Sequence, residues 1–462
     1  MKYISTRGQS ETRTFVQAVI EGLSRDGGLL IPERIPDLSD QLTTLKNLSY
    51  PKLALEIFKP YIEDEFSIET IERLVNQSYS VFTTPEVTPI RFTDSVAILE
   101  LFHGPTLAFK DIALQFLGNL FEEILKKDKN PLNILGATSG DTGSAAIHGV
   151  RGKDGITIFM LHPKGKISPI QEKQMTTVLD DNVVNIAIEG TFDDAQRIVK
   201  DIFTDLDFKD QYHLGAVNSI NWARVMAQIV YYFYAAFQFQ KKYPNQPIVF
   251  SVPTGNFGDI YAGYLAKKMG LPIEKLILAT NENDILFRVI NSGIYKIGNV
   301  AETYSPSMDI QVSSNFERFL FDTFGKDGDL IQEKMDSLSQ TSEFQLSQEQ
   351  VQSVQKELLA VRIDNDQTLK TIKKYYDQGI LMDPHTAVGV AAAESSSYKH
   401  VICLSTAHPA KFSEAVIKAT GEDAEKPASL EGILEQESRC LTCSQDKDAV
   451  KKIIIEKLKS IK

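Results

Sequence analysis

The chain has 462 residues, 42% hydrophobic and 24% charged, with a formal net charge of −12. That length predicts roughly two to four domains with ample core, and the acidic balance speaks against nucleic acid or an anionic membrane as partner. No run approaches the ~20 apolar residues that span a bilayer, MKYISTRGQSETRTF shows no secretory signal, and three cysteines are too few for a disulfide scaffold. Composition agrees with a globular cytoplasmic chain, and no membrane or metal partner is expected.

Residues 1–90 carry helical patterns, FVQAVIEGL and LALEIFKPYI, joined by Pro/Asp-rich loops. Strand and helix alternate over 91–245. VAILEL, NILGAT, TIFMLHP and VVNIAIEG read as strands, and FDDAQRIVKDIF and NWARVMAQIVYYFYAAFQ as helices. This alternation predicts a parallel sheet. From 246 to 462 the pattern returns with IVFSVPTG, KLILATN and HVICLSTA. The stretch 326–380 reads as a charged, helical insertion. KKIIIEKLKSIK reads as a terminal helix that docks on the fold.

Three segments carry chemistry. In HGPTLAFKDIALQFLG (103–118), Gly104 and Pro105 delay a helix until Lys110, which lies between Phe109 and Asp111. An ammonium among apolar groups loses hydration, so its neutral amine becomes available as a nucleophile, as imine formation requires. A surface lysine in a first helical turn has the same local sequence. ILGATSGDTGSAAIHGV (134–150) and IVFSVPTGNFGDIYAGYLAKKMGLP (248–272) both read as strand, glycine turn, helix N-terminus. Such turns gather backbone N–H groups at the positive end of a helix and bind anions; they are also plain βα turns. Neither has the lysine of a Walker A loop, and Gly255-Asn256-Phe257-Gly258 lacks the dinucleotide pattern. An imine-forming lysine with a separate phosphate cradle points to pyridoxal 5'-phosphate. Cys403 reads as core, and Cys440 and Cys443 as neutral surface thiols, because four-ligand zinc lacks nearby partners.

Nine segments occur in one family's order: YISTRG (3–8), DGGLLIP (26–32), HGPTLAFKD (103–111), GATSGDTGSAA (136–146), NSINWAR (218–224), PTGNFGD (253–259), SPSMDIQVSSNFER (305–318), MDPHTAVG (382–389) and STAHPAKF (405–412). On these the chain resembles the threonine synthases, fold-type II pyridoxal-phosphate enzymes, in their longer bacterial and fungal branch. The resemblance implies an α/β fold of two open, mostly parallel twisted sheets with helices on both faces, similar to the tryptophan synthase β subunit. To this it adds the helical N-terminal region and the insertion. The implied domains are 1–90, then 91–245 with the lysine and the SGDTG turn, then 246–462 with the phosphate loop.

The resemblance also implies roles. Lys110 holds the cofactor as an imine and moves protons. Gly255, Asn256, Phe257 and Gly258 cradle its phosphate, with Asp259 in the same loop. Thr406 faces the pyridine nitrogen. Asp141 either stands near the ring hydroxyl or caps its helix. The implied substrate is O-phosphohomoserine, converted with water to L-threonine and phosphate. Its carboxylate suits the turn of Ser139, Gly140, Thr142 and Gly143. Asn221, Arg224 and Lys411 are candidates for its phosphate, and Arg224 suits a structural ion pair equally well. His103, His385 and His408 suit proton transfer or a structural hydrogen bond. A monomer or homodimer is expected. The rival readings are a hydroxy-amino-acid dehydratase and a non-catalytic homologue.

Overall fold

The computed structural model describes residues 1–127 and 130–461. Its contacts divide the chain into two compact units: Met1–Ala113 with Ser219–Glu425, and Leu114–Asn218 with Lys426–Lys462. The chain passes from one to the other inside the helix Lys110–Lys127. Among the described residues no helix is long and apolar enough to cross a membrane.

The first unit is built on a six-stranded sheet. Its order is Leu358–Arg362, Ile273–Thr280, Ile248–Pro253, Val401–Ser405, Val96–Glu100 and Ile90–Phe92. All neighbours run parallel except the last pair. The central strands are buried on both faces, which is why they read as unbroken apolar runs rather than alternating ones. Val401–Ser405 pairs residue by residue with Val96–Glu100. That register brings the end of the HVICLSTA strand beside the approach to Lys110. The helix Trp222–Lys242 is buried almost all round, as a core helix must be. The N-terminal stretch adds the helices Tyr50–Ile62 and Ile68–Tyr79, and a short pairing of Tyr3–Ser5 with Leu30–Pro32. Cys403 is core, as expected.

The second unit holds a five-stranded, all-parallel sheet. Its order is Leu441–Cys443, Val183–Ile188, Ile156–Pro163, Leu132–Ala137 and Leu214–Gly215. The terminal helix Lys447–Ile461 does dock: Val450 and Ile454 join Ala195, Ile198 and Ile202 in one cluster.

Two expectations need correction. The units do not break near residues 90 and 245. Pairing of Val96–Glu100 with Val401–Ser405 draws the early chain into the sheet of late strands, and Leu441–Cys443 returns the tail to the second unit. The insertion is also not wholly helical. Its helices Gly328–Thr341, Gln348–Glu357 and Asn365–Tyr376 are interrupted by the edge strand Leu358–Arg362, in parallel register with Leu276–Thr280. Long-range pairing there overrides a helical local pattern.

Candidate active site

Lys110 is the first residue of its helix and only 8% exposed. Its ammonium lies 5.2 Å from the centre of the Phe109 ring. The residues before it are clamped to the end of the strand Val401–Ser405. Phe109 N–H donates to Thr406 O at 2.8 Å, His408 N–H to Leu107 O at 3.0 Å, and Ala108 bridges Ala407. Lys411 is buried, and its Nζ donates to Thr106 O at 2.7 Å. From the other side Asp111 accepts Thr106 N–H at 2.8 Å and Thr106 Oγ1–H at 2.7 Å. Burial pushes the Asp111 carboxyl up to about 6 against these bonds. Between the two clamps Leu107 is held at φ 59, a conformation that disfavours a side chain and persists only when the surroundings over-determine it. Lys411 therefore serves the lysine loop, a role its sequence did not suggest. Asp111, read only as a flank of Lys110, and Thr106, not singled out from the sequence, form its frame.

The second Gly-rich segment turns between the strand Ile248–Pro253 and the helix Gly258–Lys268. Its carbonyls are engaged from outside. Ser313 Oγ–H donates to Gly255 O at 2.8 Å, and Asn315 donates to Asn256 O from N–H and Nδ2, each at 3.1 Å. The amides of Gly255, Asn256, Phe257 and Gly258 donate to no group among the described residues. Phe257, at φ 63, is the N-cap, with its ring 5.1 Å from Phe316 and 5.3 Å from Phe319. Position 255 has no room for a side chain: a Cβ would lie 2.8 Å from Ser307 O. Unpaired amides at the positive end of a helix are what a phosphate ester needs, so the loop fits pyridoxal phosphate. Asp259 turns away from this face, toward Tyr231 and Tyr232.

Thr406 is fixed on both sides. Its carbonyl accepts from Phe109, and its N–H donates to Thr386 Oγ1 at 3.3 Å. Thr386 Oγ1 contacts Ser405 Oγ and the buried Asp383 carboxylate. Asp383 also accepts from His385 Nδ1 at 2.8 Å, while His385 Nε2 accepts Ser307 N–H at 3.1 Å. His385 thus ties Ser307, whose carbonyl faces Gly255, to the buried Asp383. His408 Nδ1 accepts Ala410 N–H, and burial pushes that imidazole down to about 4. His103 pairs with Glu100 at 2.8 Å.

The candidates for the substrate phosphate separate. Asn221 is fully buried as the N-cap of the helix Trp222–Lys242. Its Oδ1 accepts Ala223 N–H at 3.0 Å, and its Nδ2 donates to Val19 O at 2.8 Å. Its amide caps this helix and ties it to Val19, a structural duty not assigned from the sequence. Arg224 is 3% exposed, and its Nε and Nη1 have no partner. The structural ion pair considered for it is absent among the described residues. Burial pulls the guanidinium down to about 10. A buried cation in the first turn of a helix meets the positive end of the dipole without a counter-ion, and an anion would relieve both penalties.

In the second unit, the SGDTG turn precedes the helix Asp141–Val150. Thr138 Oγ1 accepts the N–H groups of Gly140 at 3.0 Å and Gly143 at 2.8 Å. Those two amides, expected to face a carboxylate, are already engaged; Ser139 and Thr142 remain. Gly140, at φ 138, is the N-cap in place of Asp141, whose Oδ1 accepts Gln171 Nε2 at 2.7 Å. The cysteine pair also divides. Cys440 is exposed, with Sγ 3.5 Å from His162 Nε2, whereas Cys443 is core rather than a surface thiol.

Comparison with known proteins adds a family. A model of the threonine synthase N terminus matches residues 2–79, one of pyridoxal-phosphate dependent enzymes matches 86–406, and one of the threonine synthase C-terminal region matches 386–454. The threonine synthase of Schizosaccharomyces pombe is 43% identical, over 99% of this chain and 98% of its own length. That of Saccharomyces cerevisiae is 47% identical, over 90% and 88%. The solved structure of pyridoxal-phosphate-bound threonine synthase from Brucella melitensis is similar at a TM-score of 0.95 and 44% identity, covering 99% of each chain.

Proposed function

The chain belongs to the threonine synthase family of pyridoxal-phosphate-dependent enzymes, and from that premise we propose how its residues divide the work. The reaction converts O-phospho-L-homoserine and water to L-threonine and phosphate. It is a lyase reaction that eliminates phosphate. When bound, the cofactor would supply an electron sink for negative charge developing at the amino-bearing carbon and its neighbour.

Lys110 is the nucleophile that anchors the cofactor, and its Nζ carries protons to and from the substrate carbons. The clamps on residues 106–109 limit the directions that Nζ can sample, which places the base in advance. The four unpaired amides at 255–258 hold the cofactor phosphate. Thr406 offers a neutral hydroxyl to the pyridine nitrogen, so the ring need not be fully protonated. Arg224 binds the substrate phosphate through its fork of donors. Ser139 and Thr142 offer their amides to the α-carboxylate.

The observation that carries this reading is that a clamped lysine loop and a loop of unpaired amides are held at the same ends of two adjacent parallel strands, Val401–Ser405 and Ile248–Pro253. Its test is phosphate release from O-phosphohomoserine, with chromatography for threonine. Release with threonine as co-product is expected; turnover of unphosphorylated hydroxy amino acids alone would favour the dehydratase. The counter-ion-free Arg224 supports the phosphorylated substrate.

A further inference from the structure

The first turn of the helix Gly258–Lys268 holds a group for which phosphate binding has no evident use. Asp259 directly follows the four unpaired amides and is buried. Its Oδ1 accepts the hydroxyl protons of Tyr231 at 2.6 Å and Tyr232 at 2.8 Å, both fully buried on the helix Trp222–Lys242. The Tyr232 hydroxyl also lies 3.0 Å from Asp259 O. Oδ2 is buried without a hydrogen-bond partner among the described residues. Packing is shaped around this contact: a Cβ at Gly263 would come within 2.6 Å of Tyr232 Cε1. Only a glycine one turn on lets that ring reach the carboxyl.

The groups acting on the carboxyl are few. Tyr231 and Tyr232 face it from their helix, and Tyr50, on the helix Tyr50–Ile62, acts electrostatically on Tyr231. Burial pushes the carboxyl up to about 6, against the pull of the two hydroxyls. An ionised Asp259 is favoured mainly by the helix dipole and these two donors. A phosphate on the adjacent amides draws on the same dipole. It also brings like charge to a buried carboxylate, which disfavours ionisation. Both anions cannot be well served by one helix end.

Taking residues 255–258 as the phosphate seat, on which this rests, we propose that Asp259 is a positioning residue that takes up a proton from solvent when a phosphate ester docks there. The new O–H bond forms at Oδ2, and no bond in the ligand breaks. Binding then raises the carboxyl's affinity for its proton. Ligand affinity is highest where Asp259 is protonated in both states. It falls as pH rises, and levels off where Asp259 is ionised in both. At full linkage the fall is about tenfold per pH unit.

The test is calorimetric titration of pyridoxamine 5'-phosphate, which has no aldehyde to bond Lys110, into the full-length, cofactor-free chain. Buffers of different ionisation heat give the protons taken up per ligand bound. The parent is expected to take up more than Asp259→Asn, and its Kd should rise from neutral to alkaline pH while that of D259N follows only the ligand's own titration. Tyr231→Phe keeps the carboxyl but removes a donor to its ionised form, so the rise in Kd should move to higher pH; this variant decides the matter should D259N not fold. Equal proton uptake and superimposable Kd profiles for parent and variants would overturn the proposal, since a group that only packs helices would shift stability alone. If those profiles coincide while Gly255→Val loses binding, Asp259 is retired and the phosphate seat stands. If Gly255→Val binds like the parent, the seat itself is misplaced.

Discussion

The two glycine turns look alike as sequence and differ as chemistry. Each follows a buried parallel strand, opens a helix and contains a residue at positive φ: Phe257 in one and Gly140 in the other. At 255–258, Ser313 and Asn315 take the carbonyls from outside, and the amides are left without acceptors. At 139–143, Thr138 reaches forward from the strand end and takes two amides itself. The first turn is open to an anion; the second is partly closed by its own chain. A Gly-rich motif predicts that the backbone turns sharply. Which of its N–H groups remain available depends on side chains that the motif does not contain.

The contrast can be tested by substitution. Lys110→Ala should abolish threonine formation and the visible absorption of the bound cofactor while leaving the fold intact, because each clamp on the loop uses backbone groups or other side chains. Turnover at the parent rate would remove Lys110 from the chemistry. Thr138→Val removes the hydroxyl that closes the second turn and leaves two buried amides without an acceptor, each worth about 1–3 kcal/mol. Thermal denaturation should report that loss, and the affinity of cofactor binding should stay near that of the parent. Gly255→Val places atoms against Ser307 O; a strain of about 1–3 kcal/mol is expected. Here the loss should appear in cofactor affinity, about ten- to hundredfold by equilibrium dialysis. Unchanged cofactor affinity in G255V together with a cofactor defect in T138V would reverse the assignment of the two turns.

The smallest effect concerns Arg224. Arg224→Lys keeps the charge and loses the fork, so KM for O-phosphohomoserine should rise by about tenfold, near 1.4 kcal/mol. Arg224→Met should raise the melting temperature of the protein measured without substrate or phosphate, since it removes a buried cation that has no counter-ion among the described residues. A lower melting temperature with unchanged KM would give Arg224 a structural role.

Much of the fold was legible. The seven apolar runs read as strands are strands, because a strand buried on both faces must be apolar throughout. Leu358–Arg362 was not legible: LLAVR continues the helical pattern before it, and only its parallel partner at Leu276–Thr280 makes it a strand. The site was legible in its chemistry and less so in its supports. Lys110 and the 255–258 loop stand out by residue type. Asn221 carried a readable signal, an Asn just before a helix, which predicts an N-cap better than a phosphate ligand. Lys411, Ser313 and Asn315 carried none, because each acts on backbone far away in sequence.

Amide hydrogen exchange tests the difference between the turns most directly. In the cofactor-free chain, Gly140 and Gly143 should already be protected, since both donate to Thr138 Oγ1, and adding pyridoxal phosphate should change them little. Gly255, Asn256, Phe257 and Gly258 should exchange fast without cofactor and slow sharply with it. Protection of 255–258 before cofactor is added, or exchange there that cofactor leaves unchanged, would contradict the account.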